Sequence, residues 1–292
     1  MSRIKQLLVL PSLKIHNANA LSSPYTIGFP AMTAWLGAVH ALQRKINTHE
    51  LFEDVKFIKT GVACHEIDLQ TFKGHGDYEC SIIGTSNPLD KTGKRPSFIE
   101  EARCHLSISL VVQIKNLDTD DIDEFINLIS MKLHSMKFAS GDLLDFQQPQ
   151  VLKIGRDEEI KKLTRYLMPG YCLIERTDLM RNEMQHGKDA IDALLEYMQV
   201  TTLSEEDENG KVTWQGKRKT KAWIVPISIG FQGISELGHA SNQRDSSTPH
   251  RFAESVVTLG EFIMAYKIDN IDQLLWSYDY NPETNLYLCK QN

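Results

Sequence analysis

Leu106, Ile108, Leu110 and Val112 alternate with His105, Ser107, Ser109 and Val111, a period of two that marks a strand with one face on a core. Such a strand needs partners and a covering layer, and the flanking segments supply both. Residues 7–15 are rich in Leu, Val and Ile and predict a buried strand ending at His16-Asn17-Ala18-Asn19. Beyond a loop over 22–30, Trp35, Leu36, Val39, Leu42 and Ile46 recur at helical spacing, with Pro30 at the start and Arg44 and Lys45 in the last turn. His40 is read as a core histidine of that helix. Residues 55–72 predict one long strand or two short ones. Ile122, Phe125, Ile126, Ile129, Leu133 and Met136 form the apolar stripe of a helix over 120–138, closed by Ala139-Ser140-Gly141. Strand, helix, strand, strand, helix lacks only a last strand of the split β-α-β arrangement. The expected fold is therefore α+β with a ferredoxin-like or RRM-like core over 1–146.

Between Lys73 and Glu101 the chain is rich in Gly, Ser, Pro, Asp and Lys. A loop of that length between two strong strands is functional or disordered, and it is read as a protruding thumb at about 73–103. Residues 147–292 are expected as an elaborated C-terminal half packed on the core. There the pattern predicts a helix stopped by Pro169-Gly170, a strand at 171–174, a helix at 190–198 and a strand at 223–229. A helix over 250–264, a short helix over 271–276 and a last strand at 285–289 follow. Within this half, Glu205-Glu206-Asp207-Glu208 runs into Lys211, Lys217, Arg218, Lys219 and Lys221 around Asn209-Gly210, a hairpin-type dipeptide, and marks a flexible charged arm at about 201–221.

Net charge is −6, which in sum does not favour a nucleic-acid partner, yet Lys91, Lys94, Arg95 and Arg103 cluster in the thumb. Five cysteines with no CxxC pair argue for buried thiols over disulfides or zinc. Asp118, Asp120, Asp121 and Asp123 suit a helix start better than a calcium loop, because the loop glycine and terminal glutamate are missing. No metal, cofactor or hydrolase signature is expected, since GxSxG, Walker, HExxH and GxGxxG patterns are absent. No apolar run reaches the ~20 residues of a membrane span. Pro11 and Lys14 break the first apolar stretch, which reads as the opening strand of a cytoplasmic protein. Phe262, Met264 and Tyr266 are candidates for an exposed apolar interface.

The run from Pro11-Ser12-Leu13-Lys14-Ile15-His16-Asn17 to Gly28-Phe29-Pro30, with Gly37-Ala38-Val39-His40-Ala41-Leu42, closely resembles the opening of the second Csy subunit family of type I-F CRISPR complexes. Asn87-Pro88-Leu89, Glu101-Ala102-Arg103-Cys104-His105-Leu106, Leu167-Met168-Pro169-Gly170-Tyr171, Trp223-Ile224-Val225-Pro226-Ile227 and Thr248-Pro249-His250-Arg251-Phe252 continue the match in order. Residues 176–221 match poorly. The resemblance implies a Cas-five-type protein that grips the 5′ handle of the CRISPR RNA and pairs with the large Cas-eight-type subunit. It implies contact with the first Cas-seven-type backbone subunit and with target DNA only through the complex. It also implies no catalytic role.

Read from the residues themselves, three places suit single-stranded RNA. Asn17, Asn19, Ser22, Ser23 and Thr26 lead to a helix N-terminus able to receive a phosphate, though simple turn chemistry accounts for the same residues. Lys91, Lys94, Arg95 and Arg103 on the thumb would neutralise phosphates, with His105 on the returning strand beside them. His250 and Arg251 would sit at a helix start capped by Thr248, where Arg251 reads a phosphate or pairs with Glu254. Tyr25, Phe29 and Phe98 are candidate stacking rings, and Phe29 equally a staple for the helix behind it. The rival reading is a metal-independent CRISPR repeat RNA endonuclease, with His65, His105 and Tyr25 as base and donors.

Overall fold

The computed structural model describes residues 4–83, 88–95, 101–155, 157–206, 210–243 and 245–291. The N-terminal half runs β1 (Lys5–Asn19), a small hairpin of β2 (Leu21–Ser23) and β3 (Thr26–Ile27), then α1 (Met32–Ile46) and β4 (Lys56–Leu69). A second small hairpin, β5 (Thr71–Phe72) and β6 (Ser81–Ile82), precedes β7 (Arg103–Lys115), α2 (Ile122–Leu133), β8 (Lys137–Phe138), β9 (Gly141–Asp145) and β10 (Gln150–Ile154). The C-terminal half holds α3 (Asp157–Leu167), β11 (Tyr171–Glu175), α4 (Thr177–Gln185), α5 (Ala190–Met198), β12 (Thr201–Glu206) and β13 (Val212–Lys217). It ends with β14 (Ile224–Gly233), β15 (Ala253–Met264), β16 (Trp276–Asn281) and β17 (Leu286–Gln291).

The protein is thus α+β, built on one large antiparallel sheet of eleven strands among the described residues. Its order is β11-β15-β14-β17-β16-β4-β7-β1-β9-β8, with β10 also on β1. Across the first half the order is β4, β7, β1 and then β9 with β10. β9 and β10 divide one edge between them: Lys5–Val9 pairs with β10, and Lys14–His16 with β9.

Packing follows the alternation. Leu8, Leu10, Leu13 and Ile15 of β1 and Leu106, Ile108, Leu110 and Val112 of β7 point to one face, where α1 and α2 lie over them in the main core. Met32, Trp35, Leu36, Val39, Leu42 and Ile46 of α1 are all buried there, each contributing about 1.5–3 kcal/mol of transfer free energy. Leu7, Val9, Ala63 and Val111 point to the opposite face, where α3 and the segment from Ala265 to Leu275 cover them.

Two bulges in β1 keep its apolar side on the core. Register shifts between Leu10 and Leu13 and between Ile15 and Ala18 give β1 an extra residue each time, and Ser12 (φ 52°) and Asn17 (φ 55°) take left-handed backbone there. Gly141 is needed for close approach, since a Cβ on it would lie 2.7 Å from the His16 carbonyl oxygen.

Several expectations are corrected. The predicted helix over 250–264 is the strand β15, with Val256, Thr258 and Gly260 pairing with β14 and Phe262 with Leu173 of β11. Its Ser-Val-Val-Thr run is rich in β-branched residues, and burial on both faces erased the alternation that would have shown it. The second helix stops at Leu133, five residues short of 138, because Phe138 is drawn into β8. Residues 271–273 are one 3₁₀ turn, and Trp276 already opens β16. α1 starts at Met32 behind the uncapped Ala31, so Pro30 lies just outside it. His40 is exposed, not a core residue, and Phe262 is buried (8% exposed) while Tyr266 is 57% exposed. Four thiols are buried, with burial pushing Cys64, Cys104, Cys172 and Cys289 up to about 12, but Cys80 is exposed. Among the described residues no helix is long and apolar enough to cross a membrane.

Candidate nucleic-acid interface

The sheet face opposite α1 and α2 is sealed at one end and bare at the other. The seal ends at a clasp: His65 Nδ1 lies 2.6 Å from the Pro169 carbonyl oxygen and Nε2 2.6 Å from Ser109 Oγ. A carbonyl only accepts, so Nδ1 carries the proton, and in the neutral ring Nε2 accepts from the Ser109 hydroxyl. Ser109 Oγ in turn accepts from the Ser12 backbone N–H at 3.0 Å. A serine bonded to a histidine has the outline of a nucleophile and its base, but Ser109 is fully buried, which makes the pair a fastening.

Past that clasp the face turns polar. Lys14, His16, Glu66, Asp68, His105 and Ser107, with the exposed Leu144 at the edge, line an open groove of about 260 Å³. His16 and His105 stack, with ring centroids 4.2 Å apart and planes 15° apart. His105 Nδ1 accepts from the Asn17 backbone N–H at 3.3 Å, a bond available because the second bulge turns that N–H out of the ladder. The Gln70 carboxamide spans Asn17 and His105, at 2.6 and 3.2 Å. Lys14 donates to Asp145 at 3.0 Å and holds that carboxyl below the usual carboxylate range. Glu66 and Asp68 are exposed and have no ion pair among the described residues.

The loop expected as a thumb leaves from this groove. Gln70 N–H donates to the Arg103 carbonyl at 2.9 Å, Ile83 N–H to the Gln70 carbonyl at 3.3 Å, and Arg103 Nη1 to the Asn17 carbonyl at 3.4 Å. Further out, Asp90 accepts from Thr92 and from the Lys94 backbone N–H (3.0 Å), forming a turn with Gly93 at φ 75°. Lys91, Lys94 and Arg95 are exposed around that turn and make no ion pair among the described residues. Arg103 is committed to Glu101 at 2.6 Å. Asn87 and Phe98 lie outside the described residues.

The structure thus brings Asn17, Arg103 and His105 together, at the root of the loop bearing Lys91, Lys94 and Arg95. It does not add the other candidates. Asn19 folds its side chain onto Leu21, and Ser22, Ser23 and Thr26 bond to one another at 2.7–2.9 Å inside the β2–β3 hairpin, with Ser23 and Thr26 buried. His250 is in a bridge to Gly238 and not at a helix start, because β15 replaces the expected helix. Arg251 donates to Asn285 and packs on Gly233, so neither the phosphate at a helix start nor the pairing with Glu254 describes it. Thr248 donates to Asp245 (2.7 Å), whose carboxyl the Ser247 and Thr248 hydroxyls push down to about 2. Phe29 is buried against Trp35 and Phe262, whereas Tyr25 is 72% exposed. His16, Gln70, Glu66 and Asp68 were missed. Extending the first strand to Asn19 puts Lys14 and His16 on the outer face, and that continuation was the available signal.

The sequence pattern of the family described as CRISPR-associated protein (Cas_Csy2) matches residues 8–289. The chain belongs to that family. CRISPR-associated protein Csy2 of Pseudomonas aeruginosa (strain UCBPP-PA14) is 32% identical over 310 residues, spanning 96% of this chain and 94% of that protein. The Cas_Csy2 match runs through both halves of the sheet and includes every residue of the groove.

Proposed function

We propose that this Cas_Csy2 family member is a non-catalytic subunit of a type I-F CRISPR surveillance complex that holds the 5′ handle of the CRISPR RNA. It pairs with the large subunit and abuts the first backbone subunit. Family membership supports the complex, and the strand order β4, β7, β1, β9 with helices on one face supports reading residues 1–146 as an RRM-like core. The observation that carries RNA binding is the open end of the outer face, contiguous with the root of a loop on which Lys91, Lys94 and Arg95 make no ion pair among the described residues.

The two parts divide the work. Glu66 and Asp68 repel phosphates but accept hydrogen bonds from base amino groups, and the stacked His16–His105 pair and Gln70 offer further edges to an unstacked base. Lys91, Lys94 and Arg95 take the phosphates. As for the endonuclease reading, both ring nitrogens of His65 are engaged within the protein, and no observation favours it.

The test is guide-RNA binding by the assembled complex with Lys91, Lys94 and Arg95 each changed to Glu. Affinity should fall, and the slope of log K against log salt should flatten by about one unit for each phosphate no longer neutralised. An unchanged slope removes the thumb assignment. Site-specific cleavage of repeat RNA in EDTA, abolished by His105→Ala, would replace binding with catalysis.

A further inference from the structure

One side chain sits where the loop root, the bulge of β1 and the groove meet. Gln70 follows β4, and its main chain is held on both sides, by the Arg103 carbonyl at 2.9 Å and the Ile83 N–H at 3.3 Å. Its half-buried carboxamide reaches Asn17 at 2.6 Å and His105 Nε2 at 3.2 Å, and the Asn17 backbone N–H meets His105 Nδ1 at 3.3 Å. That N–H is fixed in place. Asn19 N–H donates to the Ala139 carbonyl at 2.8 Å just beyond it, and Gly141 lies close against the His16 carbonyl and the Ala18 nitrogen.

These contacts set the direction of every bond among the three side chains. With the Gln70 amino group turned inward, it would donate to Asn17 Oδ1 and to His105 Nε2 while the Asn17 N–H donates to Nδ1. Both ring nitrogens would then have to accept. A neutral imidazole carries one N–H, and an imidazolium accepts at neither nitrogen. A backbone N–H held in a strand cannot be reversed, whereas a carboxamide turns over within the same outline. The consistent arrangement has the Gln70 carbonyl oxygen inward, accepting from His105 Nε2–H and from the Asn17 amino group. The Asn17 carbonyl oxygen is then left without a partner among the described residues.

We infer that Gln70 is a positioning residue for base readout: it holds His105 in the Nε2–H tautomer, frees the Asn17 carbonyl oxygen, and so gives the groove one hydrogen-bond polarity. Asp68 is directly opposite His105 in the β4–β7 ladder, and Glu66 lines the same groove. Carboxylates only accept, so beside the freed Asn17 oxygen the groove sets acceptor next to acceptor. Such a surface favours a base with an exocyclic amino group, as in adenine, cytosine and guanine. Uracil would bring a carbonyl oxygen against those oxygens. This role rests on the RNA-binding reading above and gives it a direction.

The first test is the NMR signature of the His105 ring nitrogens in the full chain without RNA. Nδ1 should be unprotonated and Nε2 protonated; the opposite tautomer or an equal mixture overturns the inference. Gln70→Leu should release the ring into a mixture, whereas Gln70→Glu, whose carboxylate still accepts from both neighbours, should keep it fixed. The second test is guide-RNA binding by the assembled complex with each handle base replaced in turn by uracil, or by cytosine where it is uracil. At one position an amino-bearing base should bind about tenfold tighter than uracil. That contrast should fall below about twofold in Gln70→Leu and survive in Gln70→Glu. No such position, or a contrast that Gln70→Leu leaves intact, overturns the inference. If affinity falls when Lys91, Lys94 and Arg95 are changed to Glu but the base contrast is absent, only the role of Gln70 has failed; if neither changes affinity, the RNA-binding reading has failed with it.

Discussion

The outer face of β1, β4 and β7 has two ends made by the same three strands, and they differ in almost every respect. At one end Leu7, Val9, Ala63 and Val111 lie under α3 and the segment from Ala265 to Leu275. At the other Lys14, His16, Asp68 and His105 face solvent. The ladders continue past both ends, interrupted only at bulges, so strand pairing as such does not distinguish them. Side-chain chemistry and two bulges do. A single strand can thus belong to the core for half its length and to an open polar surface for the rest.

Substitutions at the two ends should therefore have opposite signatures. Leu7→Ala at the sealed end removes a fully buried side chain and should cost about 2–5 kcal/mol in urea unfolding. A cost under about 1 kcal/mol would mean the seal is loose. His65→Ala at the boundary leaves the Pro169 carbonyl and Ser109 hydroxyl without their shared partner and should cost about 1–3 kcal/mol. Amide exchange should accelerate over α3 more than over α1, and equal acceleration would deny that His65 fastens the covering layer. His16→Ala at the bare end should change stability by no more than about 0.5 kcal/mol while lowering guide-RNA affinity. A large loss of stability there would make the stacked rings a structural pair.

Much of the sheet was legible from the sequence because β7 alternates from Cys104 to Ile108, β1 carries an unbroken apolar run, and α1 buries a single stripe. β15 was not legible, because its two-sided burial left Val256, Leu259 and Phe262 at a spacing that imitates a helix. The Thr248-Pro249 pair reinforced that error, since a good N-cap pattern here serves an Asp245-centred turn. At the candidate site, cation-rich composition pointed to Lys91, Lys94 and Arg95. Composition could not reveal that Arg251 and Arg103 already have carboxamide and carboxylate partners. The hydroxyls of Ser22, Ser23 and Thr26 satisfy one another for the same reason: short polar side chains in a tight hairpin find local partners first. Conversely, His16 gained importance only through the bulge at Asn17, which no periodic pattern announces.

β4 is the seam of the molecule. Along one side it pairs with β7 from Lys56 to Leu69; along the other it meets β11 at Ala63 and Cys64 and β16 at Thr60. Trp276, fully buried beside that seam, donates its indole N–H to the Leu173 carbonyl and so ties β16 to β11. Severing the chain near residue 147 and producing the pieces apart would leave each with a raw strand edge, the kind of surface that captures foreign strands. Anyone wishing to study the N-terminal portion by itself would have to mask the 60–64 rim first, or keep the polypeptide whole.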